Sequence, residues 1–130
     1  MTGVVVGCGS QHQLSSHPLR GTAALYPVRE PGIQHVAEGA LTGTLLARVR
    51  VVVDEASRRL HFTAVAHHGT FYGEARLNRL SFGAAAKTEW LGGITGGTGK
   101  YAHIRASKLL FQVSRQGGVF IVSVTGTVAY

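Results

Sequence analysis

Cysteine is nearly absent: Cys8 is the single one among 130 residues. An intrachain disulfide and a multi-cysteine zinc site are therefore excluded, and the composition fits a reducing, cytoplasmic setting. Long apolar runs are missing too. No stretch approaches the ~18 residues of a membrane-spanning helix, so no membrane span is expected. No extended segment carries apolar residues at helical spacing. Acidic residues are scarce, 6 Asp and Glu against 13 Lys and Arg, for a net charge of +7. Such an excess favours anionic partners. The arginines are scattered, however, and no basic run interleaves with aromatics as in single-strand binders. Nucleic acid is not an expected partner.

Metal-ligand spacing is also missing. His67 and His68 are adjacent, which in a strand points them to opposite faces. His61 and His67 share a face but lie ~20 Å apart in an extended strand, too far for one ion. Neither a metal nor a cofactor is expected.

Two nucleotide-binding signatures are approached and missed. GGITGGTGKY, Gly92 to Tyr101, holds Gly99-Lys100, but the first glycine of a Walker A loop would fall on Ile94 and the metal-binding hydroxyl on Tyr101. Val4-Val5-Val6-Gly7-Cys8-Gly9 begins like a dinucleotide fingerprint, but His12 stands where the third glycine belongs. The same stretch resembles a lipoprotein cleavage box, without a basic region or a long enough apolar run before it. The polar segment Gly9 to Pro18 reads as part of a mobile arm over residues 1–22.

What the chain does have is a β pattern. Val, Leu and Ile occur in short runs broken by glycine. Strands are expected at Leu25 to Arg29, Gln34 to Val53, Leu60 to His68, Phe71 to Phe82, Ala84 to Leu91, Ser107 to Ser114 and Val119 to Tyr130. Gly39 and Gly43 read as bends inside the second of these. Alternation is clear in places: Leu45, Ala47, Val49, Val51 and Val53 share one face, and Arg48 and Arg50 lie on the other. Asp54 to Arg59 and Gln116-Gly117-Gly118 read as hairpin connections. Seven or eight strands without crossover helices imply an antiparallel sheet. Open edges are hazardous, so such a sheet closes as a barrel or packs as a sandwich. Glycine bends favour the barrel, placed over residues 23–130.

The glycine-rich stretch then gains a context. Ile94-Thr95-Gly96-Gly97-Thr98-Gly99-Lys100-Tyr101 resembles the (I/V)xGGTGxF/Y turn of the allene oxide cyclase and dirigent protein superfamily. The continuation Ala102-His103-Ile104-Arg105-Ala106-Ser107, the strand after it and the last strand are similar as well, and the likeness extends over residues 43–130. His103 and Ala106 depart from it, because the family usually has glycine beside the arginine. The resemblance implies a closed antiparallel eight-stranded lipocalin-like β-barrel with an apolar cavity. It also implies Gly96, Gly97 and Gly99 as a structural turn and Tyr101 as a plug at the barrel end.

Members of this superfamily cyclise an unstable epoxide or steer radical coupling. Small bacterial barrels that look like them close rings in polyketide assembly, including spirotetronates and spirotetramates. The expected activity is a cofactor-independent cyclase or isomerase that encloses an apolar, polyketide- or oxylipin-like molecule and folds it for reaction. The alternative is a binding or carrier barrel without chemistry. Chemistry of this kind needs polar or aromatic groups in the lumen. Tyr72 and Glu74 are the expected catalytic residues, and Trp90, Tyr101, Phe62 and Glu89 the expected substrate-binding ones. Which face points inward stays open, because a one-residue slip inverts it. Leu46, Val52 and Leu110 lie opposite apolar stripes, so a homo-oligomer, dimer or trimer, is expected.

Overall fold

The computed structural model describes residues 14–30, 33–81 and 87–130. Eight strands run in chain order: β1 (Ser16–Glu30), β2 (Ile33–Gly43), β3 (Ala47–Asp54), β4 (Arg59–Ala66), β5 (Gly69–Ser81), β6 (Lys87–Gly97), β7 (Ala106–Gln116) and β8 (Val119–Ala129). Each pairs antiparallel with the next, and β8 returns to β1 from Ser16↔Ala129 to Leu25↔Phe120. The sheet is a closed barrel. Closure leaves no exposed strand edge to pair with another chain.

The alternation read from the sequence sets the inside and the outside. In β4 Leu60, Phe62 and Ala64 are buried while His61, Thr63 and Val65 are exposed. In β3, Ala47, Val49, Val51 and Val53 turn inward. The inward residues are nearly all aliphatic or aromatic. Their removal from water is the main driving force for closing the sheet.

Three expectations about elements change. The first strand is not the short Leu25 to Arg29 segment. It begins at Ser16 and pairs with β8 along its lower half, so the barrel reaches well back into the segment read as an arm. The backbone ladder holds this polar stretch, and its composition does not show that. The expected arm over residues 1–13 lies outside the described residues. Next, the long strand over 34–53 is two strands. Gly43, at φ 140°, ends β2, and the Thr44 amide donates back to the Arg20 carbonyl at 2.9 Å. Last, Gly92, Gly93, Gly96 and Gly97 belong to β6 itself, and the chain turns only at 98–105.

Gly39 shows why glycine is needed within a strand. A Cβ there would lie 1.9 Å from the Ala24 carbonyl oxygen and 3.0 Å from the Leu25 side chain. The β1–β2 ladder crosses too tightly at this point for any side chain. Gly39→Ala is expected to destabilise the barrel by about 3 kcal/mol, the upper end of overpacking costs, because the clash is with backbone. The midpoint of urea unfolding measures this. A shift worth less than about 0.5 kcal/mol would show that the two strands separate freely here.

Candidate functional site

The barrel encloses a cavity of about 980 Å³. Its wall includes Leu25, Leu41, Val49, Val51, Leu60, Phe62, Trp90, Phe111, Val113, Val122 and Val124. Phe62 and Phe111 meet across it at 5.3 Å between ring centroids. The Trp90 indole Nε1 donates to the Thr88 hydroxyl oxygen at 2.9 Å. Residues 88 and 90 share a face of β6, so this bond lies in the wall, and the Thr88 hydroxyl proton remains to donate into the lumen.

One end is sealed. The lining stops at Leu19, Phe71 and Leu109, and beneath them Tyr101, Ile104 and Val128 are buried. The Tyr101 ring meets Phe71 edge-on at 5.4 Å and Tyr130 at 5.0 Å. The short 3-10 turn at Gly99–Tyr101 delivers it there. Gly99 takes φ 60°, a left-handed conformation that glycine adopts without strain. The turn docks on the β4–β5 connection: the Lys100 amide donates to the His68 carbonyl at 2.9 Å and the Thr98 amide to the Thr70 carbonyl at 2.7 Å. A Cβ on Gly97 would lie 2.4 Å from the Tyr101 carbonyl oxygen. Burial holds the Tyr101 hydroxyl above its ordinary value of 10.0, and the charge of Tyr130 adds to this.

Among the described residues, the other end is charged. Arg29, His35, Glu55 and Arg115 line the cavity where β1 and β7 finish, β2 begins and the β3–β4 turn crosses. His35 Nε2 lies 3.1 Å from Glu55 Oε1. Sequence reasoning missed all four. The signal was present in the strand periodicity: Glu55 continues the Val49, Val51, Val53 stripe, and Arg115 continues Leu109, Phe111, Val113.

The residues singled out in the sequence fall into three places. Trp90 and Phe62 stand in the cavity wall. Tyr101 lies under the floor, screened from the lumen by Phe71. Tyr72, Glu74 and Glu89 are on the outer surface, which corrects the expectation that they face the lumen. The register explains this. Phe71 and Ala75 point inward and are buried, so Tyr72 and Glu74 between and beside them point outward. Tyr72 lies flat over Gly96: a Cβ there would be 2.8 Å from its Cζ. The ring covers bare backbone, as aromatics do over sheet glycines. Glu74 sits among Arg59 (3.9 Å) and His61 (3.6 Å) in a solvated cluster. Glu89 accepts from Asn78 Nδ2 at 3.1 Å. His67 and His68 lie in the β4–β5 turn and not on strand faces, with ring centroids 4.5 Å apart. Among the described residues no group of three or more His, Cys, Asp or Glu is arranged to hold a metal.

These features define a closed β-barrel with an apolar chamber and a charged rim. Searches of family models, of curated proteins and of solved structures return no match to this chain.

Proposed function

We propose that the barrel takes an apolar small molecule into its lumen and acts on it as a cofactor-independent cyclase or isomerase. The chamber carries this reading. Its volume of about 980 Å³ is at the upper end of small-molecule sites, which are typically ~300–1,000 Å³. A wall of Leu, Val, Phe and Trp gives a flexible chain few directional contacts and much apolar burial. Confinement folds the chain and removes the entropy cost of bringing its reacting ends together. Such a reaction needs at most one group to polarise a carbonyl, and Thr88 beside Trp90 suits that role. The substrate would be polyketide- or oxylipin-like.

One observation favours a second reading, a carrier without chemistry. Among the described lining residues the titratable groups all lie at the mouth, and the deep wall has no acid or base.

Native mass spectrometry of the purified protein, followed by solvent extraction, tests both. A bound apolar species of a few hundred daltons is expected. Linear conjugated ketones would then be incubated with the protein. Products of unchanged mass and altered chromatographic retention support the cyclase or isomerase. Ligand returned unchanged supports the carrier. No bound species and no uptake of an apolar fluorescent probe would sink both readings.

The outer surface supports a homo-oligomer, dimer or trimer, within the same proposal. Val65, Tyr72 and Leu91 are 52%, 46% and 44% exposed, and such apolar groups favour burial against a second copy. The same spectrum reports the subunit count.

A further inference from the structure

We propose that the mouth is an anion-recognition collar. In it Arg29 and Arg115 hold the acidic head of an amphipathic ligand whose apolar body fills the lumen. The proposal rests on the lumen being a ligand chamber and adds a ligand class and an orientation to it.

Four lumen-lining stripes each end in a titratable residue at the same end of the barrel. Leu25 and Pro27 lead to Arg29, Ala37 leads back to His35, Val51 and Val53 lead to Glu55, and Phe111 and Val113 lead to Arg115; every one of these lines the cavity. The charges are therefore part of the chamber. They are also unequal. His35 Nε2 engages the Glu55 carboxylate at 3.1 Å, and no salt bridge joins Arg29 or Arg115 to a described carboxylate. Among the described lining residues two arginines stand beside one glutamate.

Placement brings the two arginines to one arc of the rim. β8 lies between β7 and β1, with Arg115 opposite Phe120 and Phe120 opposite Leu25. Arg29 therefore stands two strands over and four residues further along, about 16 Å from Arg115 between backbones, a gap that two long side chains and a head group between them can span. The Arg115 guanidinium rests over the Phe120 ring, 5.6 Å from its centroid, which holds it at the lip. An acid group carried deeper would lose its water against an apolar wall at high cost. At the lip it keeps solvent on one side and gains charge-assisted hydrogen bonds from guanidinium groups on the other. The net charge of +7 draws anions toward the mouth from a distance. The ligand class is thus a long apolar molecule with one ionised acid at an end, entering tail first.

Competition against a lumen-bound fluorescent probe tests this with dodecanoate, methyl dodecanoate and dodecylammonium at neutral pH. Dodecanoate is expected to bind about fivefold to tenfold more tightly than the ester, as two partly exposed ionic contacts give, and the ammonium more weakly than the ester. In R29Q/R115Q the acid and the ester should bind alike. An unchanged urea unfolding midpoint shows that the variant is folded. Equal binding of acid and ester by the unaltered protein, or an acid preference that survives R29Q/R115Q, overturns the collar and leaves the chamber standing. Failure of all three molecules to displace a bound probe overturns the collar, and failure of the apolar probe itself to bind overturns the chamber as well.

Discussion

Tyr101→Ala is expected to cost the barrel about 3–5 kcal/mol, the range for removing a buried aromatic from a packed core. The ring is 2% exposed and makes edge-on contacts with Phe71 and Tyr130. Each such contact adds about 0.5–1.5 kcal/mol beyond the buried area. Its removal would leave a hole directly under the cavity floor. Tyr101→Phe keeps the ring and is expected to cost less than about 1.5 kcal/mol. Chemical denaturation of both variants measures the difference. A loss below about 1 kcal/mol for the alanine variant would mean that Ile104 and Val128 seal the base unaided. The phenol also predicts an alkaline limit. Burial, then the charge of Tyr130, raises its folded pKa above the ordinary 10.0. The folded state therefore holds the proton more tightly than the unfolded chain. That contribution is complete below about pH 10 and fades as pH rises through the folded value. Tyr101→Phe should lose this part of the pH dependence.

Paired tryptophans in the upper lumen are expected to abolish ligand uptake while the barrel stays folded. Val51 on β3 and Val113 on β7 both line the chamber, two steps inside Glu55 and one step inside Arg115. In a closed ring of eight strands, β3 and β7 stand opposite each other. Indoles from V51W/V113W would therefore meet across the passage. They enter open space and not a filled core, so the overpacking penalty should be small. Affinity for an apolar probe should fall at least about 100-fold, equivalent to about 2.7 kcal/mol. Undiminished binding together with an unchanged unfolding midpoint would place the site outside the lumen.

Much of this architecture was legible along the chain because strand alternation is a local property. The Val49, Val51, Val53 stripe separates inside from outside wherever strong apolar residues alternate with Arg48 and Arg50. β1 was partly hidden because its lower half is held by hydrogen bonds to β8 more than a hundred residues away, and its polar composition gives no sign of them. The glycines of β6 read as a loop for a related reason. Gly92 packs against the Glu74 carbonyl and Gly96 under Tyr72, and both partners come from β5.

The sequence by itself determined an all-β chain, most of its strands and the apolar stripes. Those follow from period-two burial, which needs only near neighbours. The tertiary structure alone decided which candidates face the lumen. Tyr72 and Glu74 went outside because Phe71 and Ala75 took the inward positions, and register is settled only when a whole sheet closes. It also decided that Arg29, His35, Glu55 and Arg115, spread over 87 residues of chain, share one rim. Closing a ring of strands brings their ends together at a distance that no local spacing encodes.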